Sequence, residues 1–153
     1  MTRLPTITSA ALLVAAAFAG NAGATSKDAA STDTCAEQLV PICNKRIVEA
    51  AFAQWRNGGS GIFETLLSPE VVWTIEGSGP SAGTLRGREV LVDAAVRPLS
   101  ERLASPLRPV QQRIWADGEH VIVQWEGVAT LRDGGSYRNR YAWIMRMAGG
   151  KAV

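Results

Sequence analysis

The stretch from Trp115 to Met147, WADGEHVIVQWEGVATLRDGGSYRNRYAWIMRM, decides the fold class. Asp117-Gly118 closes one β-rich run and opens the next, which is a hairpin signal. Asp133-Gly134-Gly135 does the same a strand later. The spacing predicts strands over Val110–Ala116, His120–Leu131 and Tyr137–Met147, joined as an antiparallel meander. Side chains alternate between the faces of a strand. Val121, Val123, Trp125, Gly127 and Ala129 therefore share one face, and Ile122, Gln124 and Glu126 the other. In the last strand Asn139, Tyr141, Trp143, Met145 and Met147 oppose Arg138, Arg140, Ala142, Ile144 and Arg146. Each strand has an apolar, aromatic face to cover and a charged one to leave wet.

The cover lies upstream. Ile47, Val48, Ala51, Phe52 and Trp55 recur on one side of a 3.6-residue period, with Asn44 as a cap and Gly58-Gly59 as a stop. Ile62, Phe63, Leu66 and Leu67 repeat that face in a shorter helix. Val71 to Glu76 is β-branched and aromatic, hence a strand. Gly77 to Gly87 is a glycine-rich loop, and Arg88 to Leu103 is helical, with Pro98 kinking or restarting it. Helices segregated from hairpin-linked strands make an α+β domain. The inner aromatic faces then either fill a core or, with Gly127 and Ala129 among them, enclose a cavity.

Residues 1–24 read as a secretory signal: Arg3, the apolar run AALLVAAAFA from Ala10 to Ala19, and Ala22-Gly23-Ala24 at the cleavage site. The run is too short to span a bilayer, which needs about 20 residues. Cleavage after Ala24 makes the protein periplasmic or secreted, with no membrane attachment. Residues 25–43 form an arm, and 44–153 the domain. Export implies an oxidising compartment, so Cys35 and Cys43 are expected to form a disulfide, with Pro41 letting the chain fold back. Two free buried thiols are the alternative. The net charge of +2, from 16 basic and 14 acidic residues, gives no footprint for nucleic acid. Two cysteines and one histidine make no zinc site from soft ligands. No metal or organic cofactor is implied.

Helix residues around Trp55, then LLSPEVVWTIEGSGPSAGTLRGRE, then the Trp115–Met147 run, resemble SnoaL-like proteins of the nuclear transport factor and ketosteroid isomerase-like superfamily. The resemblance implies a cone-shaped, cystatin-like α+β barrel. A curved mixed or antiparallel sheet would wrap the N-terminal helices around a hydrophobic pocket, often in a homodimer. The chain stops at Gly150-Lys151-Ala152-Val153, short of the family's last strand. A truncated sequence and a partner chain covering the gap are the two explanations.

Ketosteroid isomerases carry a base where Thr74 stands, an acidic oxyanion donor where Trp143 stands and a tyrosine near Ala51. Steroid isomerisation needs that base and both donors, so the expected function is binding of a small apolar or aromatic molecule. Trp55, Thr74, Trp125, Asn139, Tyr141 and Trp143 are the expected ligand contacts. Glu76 shares parity with Thr74 and is the candidate general acid/base of the rival reading, an isomerase, cyclase or hydratase-like lyase. Its bland reading is a strand-end carboxylate in water. A third reading is a structural or dimerisation module without pocket chemistry. Gly77-Ser78-Gly79-Pro80-Ser81-Ala82 fits a loose dinucleotide fingerprint, but Pro80 interrupts its backbone donors and no βα units follow. His120 falls on the outward face and reads as a surface histidine.

Overall fold

The computed structural model describes residues 39–153. The signal segment, most of the arm and Cys35 lie outside the described residues. Helix α1 spans Val40–Arg56, α2 Ile62–Leu66, α3 Arg88–Leu91 and α4 Arg97–Ser100. Strands are β1 Val72–Ile75, β2 Gly83–Arg86, β3 Arg108–Asp117, β4 His120–Thr130, β5 Ser136–Ala148 and β6 Lys151–Ala152. β1 and β2 form an antiparallel pair, and β3-β4-β5-β6 a curved antiparallel sheet. α1 lies across β3 and β4. The α+β expectation holds.

α1 begins four residues before the expected Asn44. Pro41 occupies its first turn, where a missing N–H and a fixed φ fit a helix start. Asn44 is thus buried within the helix instead of capping it. The expected stop at Gly58-Gly59 is correct and has two parts. The Gly58 N–H reaches the carbonyl of Trp55, and the φ of +100° at Gly58 turns the chain so that the Gly59 N–H reaches that of Gln54. Arg108 then donates from β3 to the carbonyls of Trp55 at 2.9 Å, Gly58 at 3.0 Å and Gly59 at 2.6 Å. One guanidinium so ties the end of α1 to the start of the meander.

Pro98 does not end its helix. Between α3 and α4 the chain runs through a π-helical turn, Val92–Val96, in which the N–H of Arg97 reaches the carbonyl of Val92. A proline cannot donate to the carbonyl four residues back and crowds it. The wider turn accommodates both effects. The glycine-rich segment is also not all loop: Gly83–Arg86 pairs with β1, with Trp73 opposite Leu85 and Thr74 opposite Thr84. At the other end, β6 pairs with β5 and Ala152 bridges to Leu67. This two-residue strand was not expected.

The face assignment of β4 and β5 is as the alternation predicts. Val121, Val123, Trp125, Met145 and Met147 are buried with Val48, Phe52 and Leu66 of the helices. β3 contains an irregularity that alternation hides. Pro109 pairs with Gly127 and Gln111 with Glu126, leaving Val110 as the extra residue of a β-bulge. The bulge shifts the parity of everything after it, so Gln112, Ile114 and Ala116 turn inward.

Candidate functional site

The inward face of the sheet carries a continuous aromatic cluster. Trp125 stacks on Tyr141, its in-register neighbour, with ring centres 4.2 Å apart and planes at 17°. Trp55 meets Trp125 edge-on at 4.9 Å, and Phe52 meets Trp143 at 5.5 Å. Trp73 of the β1–β2 hairpin reaches Trp143 at 5.3 Å. Such tilted and offset contacts are the favoured geometries of aromatic pairs. Phe52, Trp55 and Trp125 are buried, whereas Trp73, Tyr141, Trp143 and Phe63 are only half-buried despite facing inward. The cluster is buried near α1 and only partly buried toward the hairpin.

The space over Gly127, expected as room for a cavity, is taken. A Cβ there would stand 2.7 Å from Cζ3 of Trp125 and 3.3 Å from Cε2 of Tyr141. The glycine lets the indole lean back along its own strand and stack on the phenol.

Tyr141 has the most perturbed side chain of the wall. Burial, followed by its 2.6 Å hydrogen bond to the Tyr137 hydroxyl, pushes its phenol well above the ordinary value of 10.0, while Asn139 pulls it partly back. The group is a neutral hydroxyl at physiological pH and offers a hydrogen bond, not a base.

Thr74 and Glu76 are not brought to this wall. Val71, Trp73 and Ile75 set the inward parity of β1, because turning Trp73 in buries it against Trp143. Thr74 and Glu76 are therefore exposed on the opposite face, with the Thr74 hydroxyl on that of Thr84 at 2.9 Å. The expected inward direction of both residues is corrected. Asn139 shares parity with Tyr141 but sits exposed. Cys43 lies in α1, and its expected partner Cys35 lies outside the described residues.

Two features of the site escaped the sequence reading. Glu126, on the outward face, is only 7% exposed. Arg138 donates to one carboxylate oxygen, and Arg140 reaches the other at 3.4 Å. The charged pattern of the face was visible, but the burial of Glu126 was not. Gln112 is the second: it shares the inward parity of Ile114 and Ala116 and stands opposite Trp125.

A match to the SnoaL-like domain model runs over residues 48–153. The chain belongs to the SnoaL-like domain family. This SnoaL-like domain resembles a cystatin-like fold protein of unknown function from Xanthomonas campestris, with 21% identity over 72% of this chain and 84% of that one (TM-score 0.58). An NTF2-like protein from Burkholderia thailandensis is 25% identical over 72% and 85% (TM-score 0.55). A putative polyketide cyclase from Pseudomonas putida is 18% identical over 71% and 85% (TM-score 0.54). No curated protein matches the sequence significantly. The likenesses below 25% identity speak for the fold of this SnoaL-like domain, not for its chemistry.

Proposed function

We propose that this SnoaL-like domain binds a small apolar or aromatic molecule against the open part of the aromatic wall. The carrying observation is that Trp73, Tyr141 and Trp143 face inward as one aromatic surface yet are only partly buried. Large aromatic side chains with few polar groups among them are what a small-molecule site presents. The structural likeness to a putative polyketide cyclase is compatible with that reading. Binding is favoured over acid/base chemistry because Glu76, the carboxylate the enzyme reading needs, stands in solvent. The test is titration of the exported protein with toluene, followed through the indole N–H signals. Saturable shifts at Trp73 and Trp143 support the reading. Unmoved signals at the solubility limit of toluene contradict it.

The same proposal includes export, cleavage after Ala24, and a Cys35–Cys43 bridge formed in the oxidising compartment. It also includes a homodimer. Trp115, Ile122 and Ile144 lie in register across β3, β4 and β5 on the outward face, 48%, 40% and 72% exposed. In the next row Asp117 and Arg146 flank His120, and Arg113 lies two residues before Trp115. Stacking this face on a second copy about a two-fold axis along the strands sets Asp117 over Arg146. An axis across the strands sets it over Arg113. Either arrangement pairs the apolar stripe with itself and opposite charges at its border, which is what an isologous contact requires.

A further inference from the structure

The inner wall carries a polar feature of its own, the contact between the hydroxyls of Tyr137 and Tyr141. The two residues share the inward parity of β5, with Asn139 between them. Four residues of strand hold their Cα atoms about 13 Å apart. The rings therefore lean toward each other along the strand, and the oxygens meet at 2.6 Å. Tyr141 is at the same time stacked on Trp125, so the pair belongs to the aromatic cluster.

Two hydroxyls hold two protons, and this contact uses one of them. No further acceptor for either hydroxyl stands among the described residues. One O–H proton is left over, whichever hydroxyl donates across the contact. Its place follows from the company Tyr141 keeps. Burial and then Tyr137 hold the Tyr141 phenol above its ordinary value, and Asn139 pulls it partly back. An acceptor for its proton raises a phenol, and a donor to its oxygen lowers it. The chain thus runs from the Asn139 amide to Tyr141, and from Tyr141 to Tyr137. The spare proton is on Tyr137. Hydrogen bonds in a chain polarise one another, which strengthens the last donor. Both tyrosines are only partly buried, so that donor is within reach of a bound molecule.

The pair lacks an acceptor. A carboxylate accepts, but the wall of Trp73, Trp125, Tyr141 and Trp143 holds no cation to receive its charge. A carbonyl oxygen accepts and brings no proton that needs a partner of its own. Resting on the small-molecule reading above, we propose that Tyr137 and Tyr141 form a carbonyl-recognition site with Tyr137 as the donor, which makes the ligand an aryl ketone or a similar aromatic carbonyl compound. The site is distinct from the donors of the ketosteroid isomerases, whose places here are Trp143 and a position near Ala51.

Acetophenone and α-methylstyrene test this, since they match in shape and differ by an oxygen in place of a methylene group. The exported protein and its Tyr137→Phe/Tyr141→Phe double variant are titrated with each by calorimetry. Both phenols are removed because either one alone could still donate. The affinity for acetophenone, relative to that for α-methylstyrene, is expected to fall about tenfold in the double variant, since a carbonyl withdrawn from water then has no donor. The carbonyl stretch of acetophenone on the wild type is expected below its value in hydrocarbon solvent, and at that value on the double variant. An unchanged ratio overturns the carbonyl site and leaves aromatic binding standing. A lowered stretch that persists in the double variant, as when water supplies the donor, also overturns the site. If the double variant fails to fold, the wild type decides. A lowered stretch together with Overhauser contacts from the acetophenone methyl group to the Tyr137 ring supports the site, and the lack of either overturns it. Absence of binding by either compound to the wild type ends both readings.

Discussion

Gly127 shows how much one missing methyl group organises. The Trp125–Tyr141 stack occupies the place where its side chain would stand. Gly127→Ala should force the rings apart and destabilise the fold by about 1–3 kcal/mol, read from denaturant midpoints. The Glu126 cluster makes an asymmetric prediction. Its arginines are largely exposed and its carboxylate is not. Arg138→Ala strips the closer partner from a buried charge and should cost about 1–3 kcal/mol. Glu126→Gln should cost less, because Arg138 and Arg140 can rehydrate. Equal losses in the two variants would show that the pairing is not what stabilises this face. Tyr141 carries a pH signature. Its phenol holds its proton more tightly when folded, so its contribution is fully present below the unfolded value near 10 and is lost as pH climbs past it. Tyr141→Phe should therefore flatten the fall of stability above pH 10, measured by denaturant titration at a series of alkaline pH values.

At the scale of the elements, the meander was legible and its exceptions were not. β4 and β5 alternate without interruption, so Trp125, Tyr141 and Trp143 were placed on the inner face from the residues alone. β3 alternates only after Val110, because an extra residue is paired with nothing and parity is lost across it. Gln112 shares the parity of Ile114 and Ala116 and was passed over because it is the polar residue of that face. In β1 the residues did point the right way: Val71, Trp73 and Ile75 alternate against Thr74 and Glu76. Family resemblance suggested the opposite face, and burial of Trp73 prevails. β2 was obscured by the glycines around it, since a strand of four residues needs a partner before it has any signal of its own. The end of α1 yields a further prediction. Arg108→Ala removes three charge-assisted hydrogen bonds to carbonyls that a helix terminus leaves unsatisfied. A loss of about 2 kcal/mol is expected in thermal unfolding. Arg108→Lys should recover only part of it, because a single ammonium cannot span the three carbonyls as the planar fork does.

The molecule as a whole presents two apolar surfaces with different fates. The outer stripe of Trp115, Ile122 and Ile144 is in register and bordered by opposite charges, which suits a second copy. Ile144→Asp should convert a dimer to a monomer in light scattering while leaving the circular dichroism spectrum intact. An unchanged mass would place any dimer contact elsewhere. The inner wall is aromatic and only partly buried toward the hairpin, which suits a small molecule. Its aromatic composition could be read from sequence, but its openness could not, because fractional burial depends on how far the hairpin closes over Trp143. The central claim is that the inner wall, and not the outer stripe, takes the ligand. Intermolecular nuclear Overhauser effects from bound toluene separate the two most directly. Contacts to the rings of Trp73, Tyr141 and Trp143 are expected from binding at the inner wall. Contacts confined to Trp115 and Ile144, with none to those three rings, would contradict it.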